Sequence, residues 1–93
     1  MEYIAKILGE IREMFLRLGF HIEEINGEIN YVYNDLYCIP HYIEHIGFFV
    51  EYADSFEQAK KNLHEDGDSY RLDIGEVVIL DGLEKEIRKN IEG

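Results

Sequence analysis

The chain has 93 residues, of which 46% are hydrophobic, 13% aromatic and 31% charged, with one proline. That length predicts one folding unit, because a second core would be too small to close, and the composition excludes a disordered chain. Twenty Asp and Glu against nine Lys and Arg give a formal charge of −11, which repels polyanions and argues against nucleic-acid binding.

Residues 3 to 18 place Ile4, Ile7, Leu8, Ile11, Met14, Phe15 and Leu18 at spacings of three and four, which predicts an amphipathic helix. Gly19 follows as its C-terminal left-handed residue. Two alternating segments, 20–25 and 28–33, then flank Asn26-Gly27. Asn-Gly supplies the two positive φ values of a type I′ turn, so this is a β-hairpin with Ile25 opposite Glu28 and Ile22 opposite Tyr31. Phe20, Ile22, Ile29, Tyr31 and Tyr33 then share one face for burial, and His21, Glu23, Asn30, Val32 and Asn34 the other.

Residues 34–45 read as a connection with one helical turn, because Pro40 is incompatible with an interior strand. Gly47–Ala53 alternates as a third strand whose outward Phe49, beside Glu51, needs a partner or a cover. Ser55, with Gln58 three residues on, opens a second helix with Phe56, Ala59 and Leu63 on its apolar stripe. Asp66–Ser69 reads as a turn, and 70–74 as short and extended. Val77–Leu80 is β-branched enough for a strand, yet Val77, Leu80, Leu83, Ile87 and Ile91 keep a helical period, so a helix over 76–91 is expected. Gly82 weakens that helix by about 1 kcal/mol relative to alanine. The predicted fold is α+β in the order α-β-β-β-α-α, a two-layer domain with helices on one face of a three-stranded antiparallel sheet.

No apolar run approaches the roughly 18 residues of a membrane span, and no basic-then-apolar leader opens the chain. The only cysteine, Cys38, excludes an intrachain disulfide and points to a reducing, cytoplasmic setting. The charge is uneven. Between Leu18 and Ala59 there is no Lys or Arg, while Glu23, Glu24, Glu28, Asp35, Glu44, Glu51, Asp54 and Glu57 all fall there. Such a surface either serves solubility or meets a basic partner by complementary potential.

The densest donor cluster is Cys38, His41 and His45, a thiolate and two imidazoles. Helical turning would bring them together as zinc ligands, with Glu44 or water as the fourth. A Cys38–His41 nucleophilic pair has no accompanying oxyanion hole, so no catalytic residues and no cofactor are expected. Asp66-Gly67-Asp68 does not open a calcium loop, which would need Gly at Arg71 and Glu at Val77. The first five elements share their order with double-stranded-RNA-binding domains. That likeness is of order alone, and the cations such domains place on phosphates are missing here.

Aromatic residues are dense in the cation-free segment, and tyrosine suits interfaces. The expected function is therefore a non-enzymatic, acidic protein-binding module of inhibitor or immunity type. It would meet a basic protein through Glu23, Tyr37, Tyr42, Phe49, Glu51 and Asp54. The alternative is a ligand or metal site at Cys38, His41 and His45. A monomer or weak homodimer is expected, because the net charge opposes association through Val32 and Phe49.

Overall fold

The computed structural model describes residues 2–92. Its elements are α1 (Glu2–Arg17), β1 (His21–Ile25), β2 (Glu28–Tyr33), β3 (Leu36–Ile43), β4 (Gly47–Ala53), α2 (Phe56–Lys60), β5 (Glu65–Asp66), a 3₁₀ turn (Leu72–Ile74) and α3 (Glu76–Glu92). The class is α+β, but the sheet has five strands rather than three. They form an antiparallel meander in the order β1-β2-β3-β4-β5.

The local signals explain most of these elements. At the end of α1 the Phe20 N–H donates to the Phe15 carbonyl (3.0 Å) and the Gly19 N–H to that of Leu16 (3.1 Å). With Gly19 at φ +96, this is the paired bonding of a Schellman cap. The hydrophobic contact that accompanies such caps is present as the edge-on Phe15–Phe20 ring pair, 4.9 Å between centroids. Asn26 and Gly27 adopt φ +56 and +80, and the β1–β2 register runs from His21↔Val32 to Ile25↔Glu28 as the two-residue turn dictates.

The main departure is β3. Asn34 takes a positive φ of +52, which asparagine tolerates, and residues 34–35 form a second tight turn rather than a strand end followed by helix. Pro40 is accommodated because β3 outruns its neighbour. The β2–β3 register ends at Tyr31↔Cys38, whereas pairing with β4 continues through Ile39↔Glu51 and Pro40↔Val50 to Ile43↔Gly47. At Pro40 the strand has a ladder on one side only, where a missing N–H is harmless.

Helices α1 and α3 lie on one face of the sheet. Ile7, Ile11, Met14 and Phe15 from α1 and Ile79, Leu83 and Ile87 from α3 bury against Phe20, Tyr31, Cys38, Phe48 and Val50. Each large side chain buried this way contributes about 1.5–3 kcal/mol. Phe15 also stacks on Tyr31 at 4.9 Å. The expected α3 stripe holds at Leu83 and Ile87, which are buried, with Leu80 and Ile91 packed beside them, but in its first turn Ile79 is buried and Val77 is 80% exposed. Gly82 has a packing reason, since a Cβ there would stand 2.4 Å from the Tyr70 ring.

The expectation of all helices on one face is corrected by α2, which lies on the opposite face. Its Ala59 closes over Ile25, Val32, Tyr37 and Ala53. Ser55 caps it as expected, accepting from the Gln58 N–H at 3.1 Å, while the Gln58 side-chain Oε1 accepts from the Asp54 N–H at 2.9 Å. The helix stops at Lys60, so Leu63, expected on its stripe, is exposed. Among the described residues no helix is long and apolar enough to cross a membrane.

Candidate functional site

The sheet's two faces differ in chemistry because strand residues alternate. The helix-side face takes Cys38, Tyr42, Phe48, Val50 and Tyr52. The second face takes Glu23, Asn30, Val32, Tyr37, Ile39, His41, Phe49 and Glu51, as the cross-strand pairs Glu23↔Asn30, Val32↔Tyr37, Ile39↔Glu51 and His41↔Phe49 require.

Four of the six residues expected to bind a partner thus share the second face. Glu23 bonds to His21 at 2.7 Å. Tyr37 is buried, its ring 6.1 Å from that of Phe56 on α2. Burial pushes its phenol pKa up, and the Glu23 and Asp35 carboxylates add to the shift. Phe49 has the cover it needed: it is buried, and the His41 ring stacks on it with centroids 5.2 Å apart. Glu51 is hydrogen-bonded to Nε2 of the same His41. Asp54 is exposed at the end of β4. Tyr42 is on the other face, against Phe48 at 4.7 Å, and so does not join the group.

The three residues considered as metal ligands are not brought together. Cys38 is fully buried in the helix-side core, where burial, and to a smaller degree Glu86, pushes its thiol pKa up. His41 points from the same strand to the opposite face. His45 occupies the β3–β4 turn at φ +72 with a side chain 91% exposed. The helical turn that would have gathered them is a β-strand, and alternation separates the first two. Among the described residues no group of three or more His, Cys, Asp or Glu is placed to hold a metal ion.

Two members of the second face had no sequence signal. Asn30 is 1% exposed, although its polar side chain and strand parity marked it as solvent-facing. Its Oδ1 accepts from His64 Nε2 at 3.0 Å and its amide nitrogen donates weakly to the Glu28 carbonyl at 3.4 Å. His64 arrives from the segment after α2, a distant piece of chain. Burial lowers its pKa below the ordinary 6.5 and nearby His41 lowers it further, against the raising influence of Glu51 and Glu28. The second face therefore presents a strip of imidazoles and carboxylates beside a small apolar cluster.

The charge distribution separates the two sides of the molecule more sharply. Helices α1 and α3 carry eight carboxylates and six Lys or Arg, whereas residues 18–75 carry twelve carboxylates and only Lys60, Lys61 and Arg71. Among the described residues, four of the five Lys or Arg ion pairs lie in the helix layer: Lys6–Glu76, Arg17–Glu84, Arg88–Glu84 and Lys85–Asp81, at 2.8–3.1 Å. On the sheet side, Arg71–Asp73 is the corresponding pair, and Glu23, Glu44 and Glu51 meet only histidines. Among the described residues, Glu24, Glu28, Asp35, Asp54, Glu57, Glu65, Asp66 and Asp68 have no Lys or Arg partner within salt-bridge distance. Comparison of the chain with protein-family models, with curated proteins and with solved structures gave no match.

Proposed function

We propose that the chain is a protein-binding module whose acidic sheet side docks a partner presenting Lys and Arg, in the manner of a small inhibitor or immunity-type protein. It acts by binding rather than catalysis, as a monomer or weak homodimer in a reducing, cytoplasmic setting. One observation carries this reading: the helix layer comes close to charge balance, with six Lys or Arg for eight carboxylates, while residues 18–75 hold three for twelve. Unpaired surface carboxylates repel one another, and a cationic partner relieves that repulsion while the field steers its approach. Tyr37 and Phe49 are buried and serve as support beneath the polar strip rather than as projecting anchors.

The test is capture of partners by the tagged chain at low and high salt, beside a Glu23→Lys, Glu51→Lys, Asp54→Lys variant. The expected result is a basic protein retained at low salt, released at high salt and absent from the variant, with the variant's circular dichroism unchanged. Retention of the same protein by the variant refutes the proposal.

A further inference from the structure

The sheet has two edges, and they are finished differently. Beyond β4 the chain covers the edge irregularly. The Gly67 N–H donates to the Val50 carbonyl, and Phe48 and Tyr70 exchange both backbone hydrogen bonds, all at 2.8 Å. Strand β5 is only two residues long, with Asp66 in it and Asp68 just after. Short, charged and irregular edges resist further pairing. Strand β1 is a regular five-residue strand with nothing paired on its outer side among the described residues.

The hairpin turn settles which groups that edge presents. Ile25 and Glu28 flank a two-residue turn and form a hydrogen-bonded pair, as do Glu23 and His21 with their partners by alternation. The N–H and C=O of Ile22 and Glu24 therefore point outward. Their side chains lie on the helix-side face, where Ile22 and Ile29 are 49% and 45% exposed and form an apolar ledge. Glu23 projects from the opposite face. Neither strand of the hairpin contains Lys or Arg. Two basic residues meet it at the turn end: Arg12 beside Gly27 and Ile29, and Lys60 through its carbonyl, which accepts from the Asn26 amide.

We infer that the open edge of β1 receives an extended segment of the basic partner as a sixth strand, with adjacent Lys or Arg side chains against Glu23 and Glu24 and an aliphatic side chain on the Ile22–Ile29 ledge. This rests on the proposed function and specifies its mode. Main-chain hydrogen bonds to Ile22 and Glu24 supply the attachment, and the carboxylate on each face selects for positive charge. A second copy of this chain is disfavoured as the occupant, because antiparallel pairing of β1 with itself about its centre sets Glu23 directly opposite the Glu23 of the other copy.

The probe is a blocked peptide, Thr-Lys-Lys-Val-Thr, titrated into the ¹⁵N-labelled chain at low salt. The expected result is slowing of hydrogen exchange at the Ile22 and Glu24 amides by about tenfold or more at saturation, with binding weakened by salt. Glu24→Pro removes one outward N–H without touching the β1–β2 ladder and should abolish binding. Glu24→Gln keeps the edge and should weaken binding several-fold. Ile22→Pro serves in its place if the first proline variant does not fold. Peptide binding with changes at Glu51 and Asp54 but none along β1 overturns the edge and leaves the acidic docking reading standing. An absence of binding at low salt overturns the edge inference, and the partner captured with the wild-type chain then tests the broader reading separately. Slow exchange at Ile22 and Glu24 without peptide, accompanied by a dimer in sedimentation, overturns it in favour of a second copy.

Discussion

Replacing Glu86 with alanine should loosen the attachment of α3 to the far edge of the sheet. Its carboxylate accepts from the Tyr52 hydroxyl at 2.5 Å and from the Asp68 N–H at 2.8 Å. Residue 67 is glycine where a Cβ would stand 2.4 Å from that carboxylate, so the backbone after β5 passes directly over it. Hydrogen bonds to a charged group are worth about 1.5–3 kcal/mol each when buried. Glu86 and Tyr52 are only half-buried, and water can replace part of what is lost. The low end of the range then applies, and Glu86→Ala should cost about 2–3 kcal/mol, or about 10 °C or more in Tm for a domain of this size. The assay is urea denaturation of wild type, Glu86→Ala, Tyr52→Phe and the double variant. The cycle should return a Tyr52–Glu86 coupling of about 1–2 kcal/mol. A coupling below about 0.5 kcal/mol would refute the claim that this bond joins the two layers. The same pair makes an alkaline prediction. Burial first, then the Glu86 bond, raises the Tyr52 pKa above its ordinary 10.0. The unfolded chain therefore loses that proton first, and the contribution, intact below pH 10, is lost as pH rises beyond it. Tyr52→Phe should flatten that part of the curve.

Three further outcomes follow from single sites. His64 has a lowered pKa in the folded chain, so the unfolded state binds its proton more readily. Stability should then fall as pH drops below about 6.5, and a His64→Gln variant that keeps the same slope in denaturation at pH 5 to 8 would contradict this. Gly47 sits at φ +115, where a Cβ would come within 2.2 Å of the Tyr70 carbonyl oxygen. Gly47→Ala should cost about 3 kcal/mol from backbone strain and overpacking together, and a near-neutral result by thermal melting would show that the Phe48–Tyr70 bridge yields. Cys38 is fully buried with its thiol pKa pushed up, so a thiol reagent such as dithionitrobenzoate should label it only at the rate of unfolding. Rapid labelling of the native chain would disprove that.

The elements specified by short-range patterns were legible in the sequence. The stripe from Ile4 to Leu18, the glycine that ends it, Asn26-Gly27 and the alternation from Gly47 to Ala53 each depend on residues a few positions apart, and the structure follows them. So does the helix from Glu76, where the longer apolar period outweighed the local β-branching of Val77–Ile79. The segregation of charge could also be read in outline, as the absence of Lys and Arg between Leu18 and Ala59.

Tertiary pairing decided the rest. Pro40 argues against an interior strand only if both neighbours are present, and no local pattern tells where β2 stops short of it. Once residues 36–43 are a strand, alternation places Cys38 in the helix-side core and His41 on the other face, so a donor set that looked compact along the chain is split in space. The burial of Asn30 under His64 and the covering of Val32 by Ala59 depend on α2 crossing to the second face. A five-residue helix has too little surface of its own to fix its side. Sequence by itself determined the segments whose curl or extension follows a short-range pattern, though not β3 or β5, and where negative charge accumulates, because these are local properties. Which face each side chain joins, which edge stays open and which carboxylates find cations depend on contacts between distant segments, and only the folded chain brings those together.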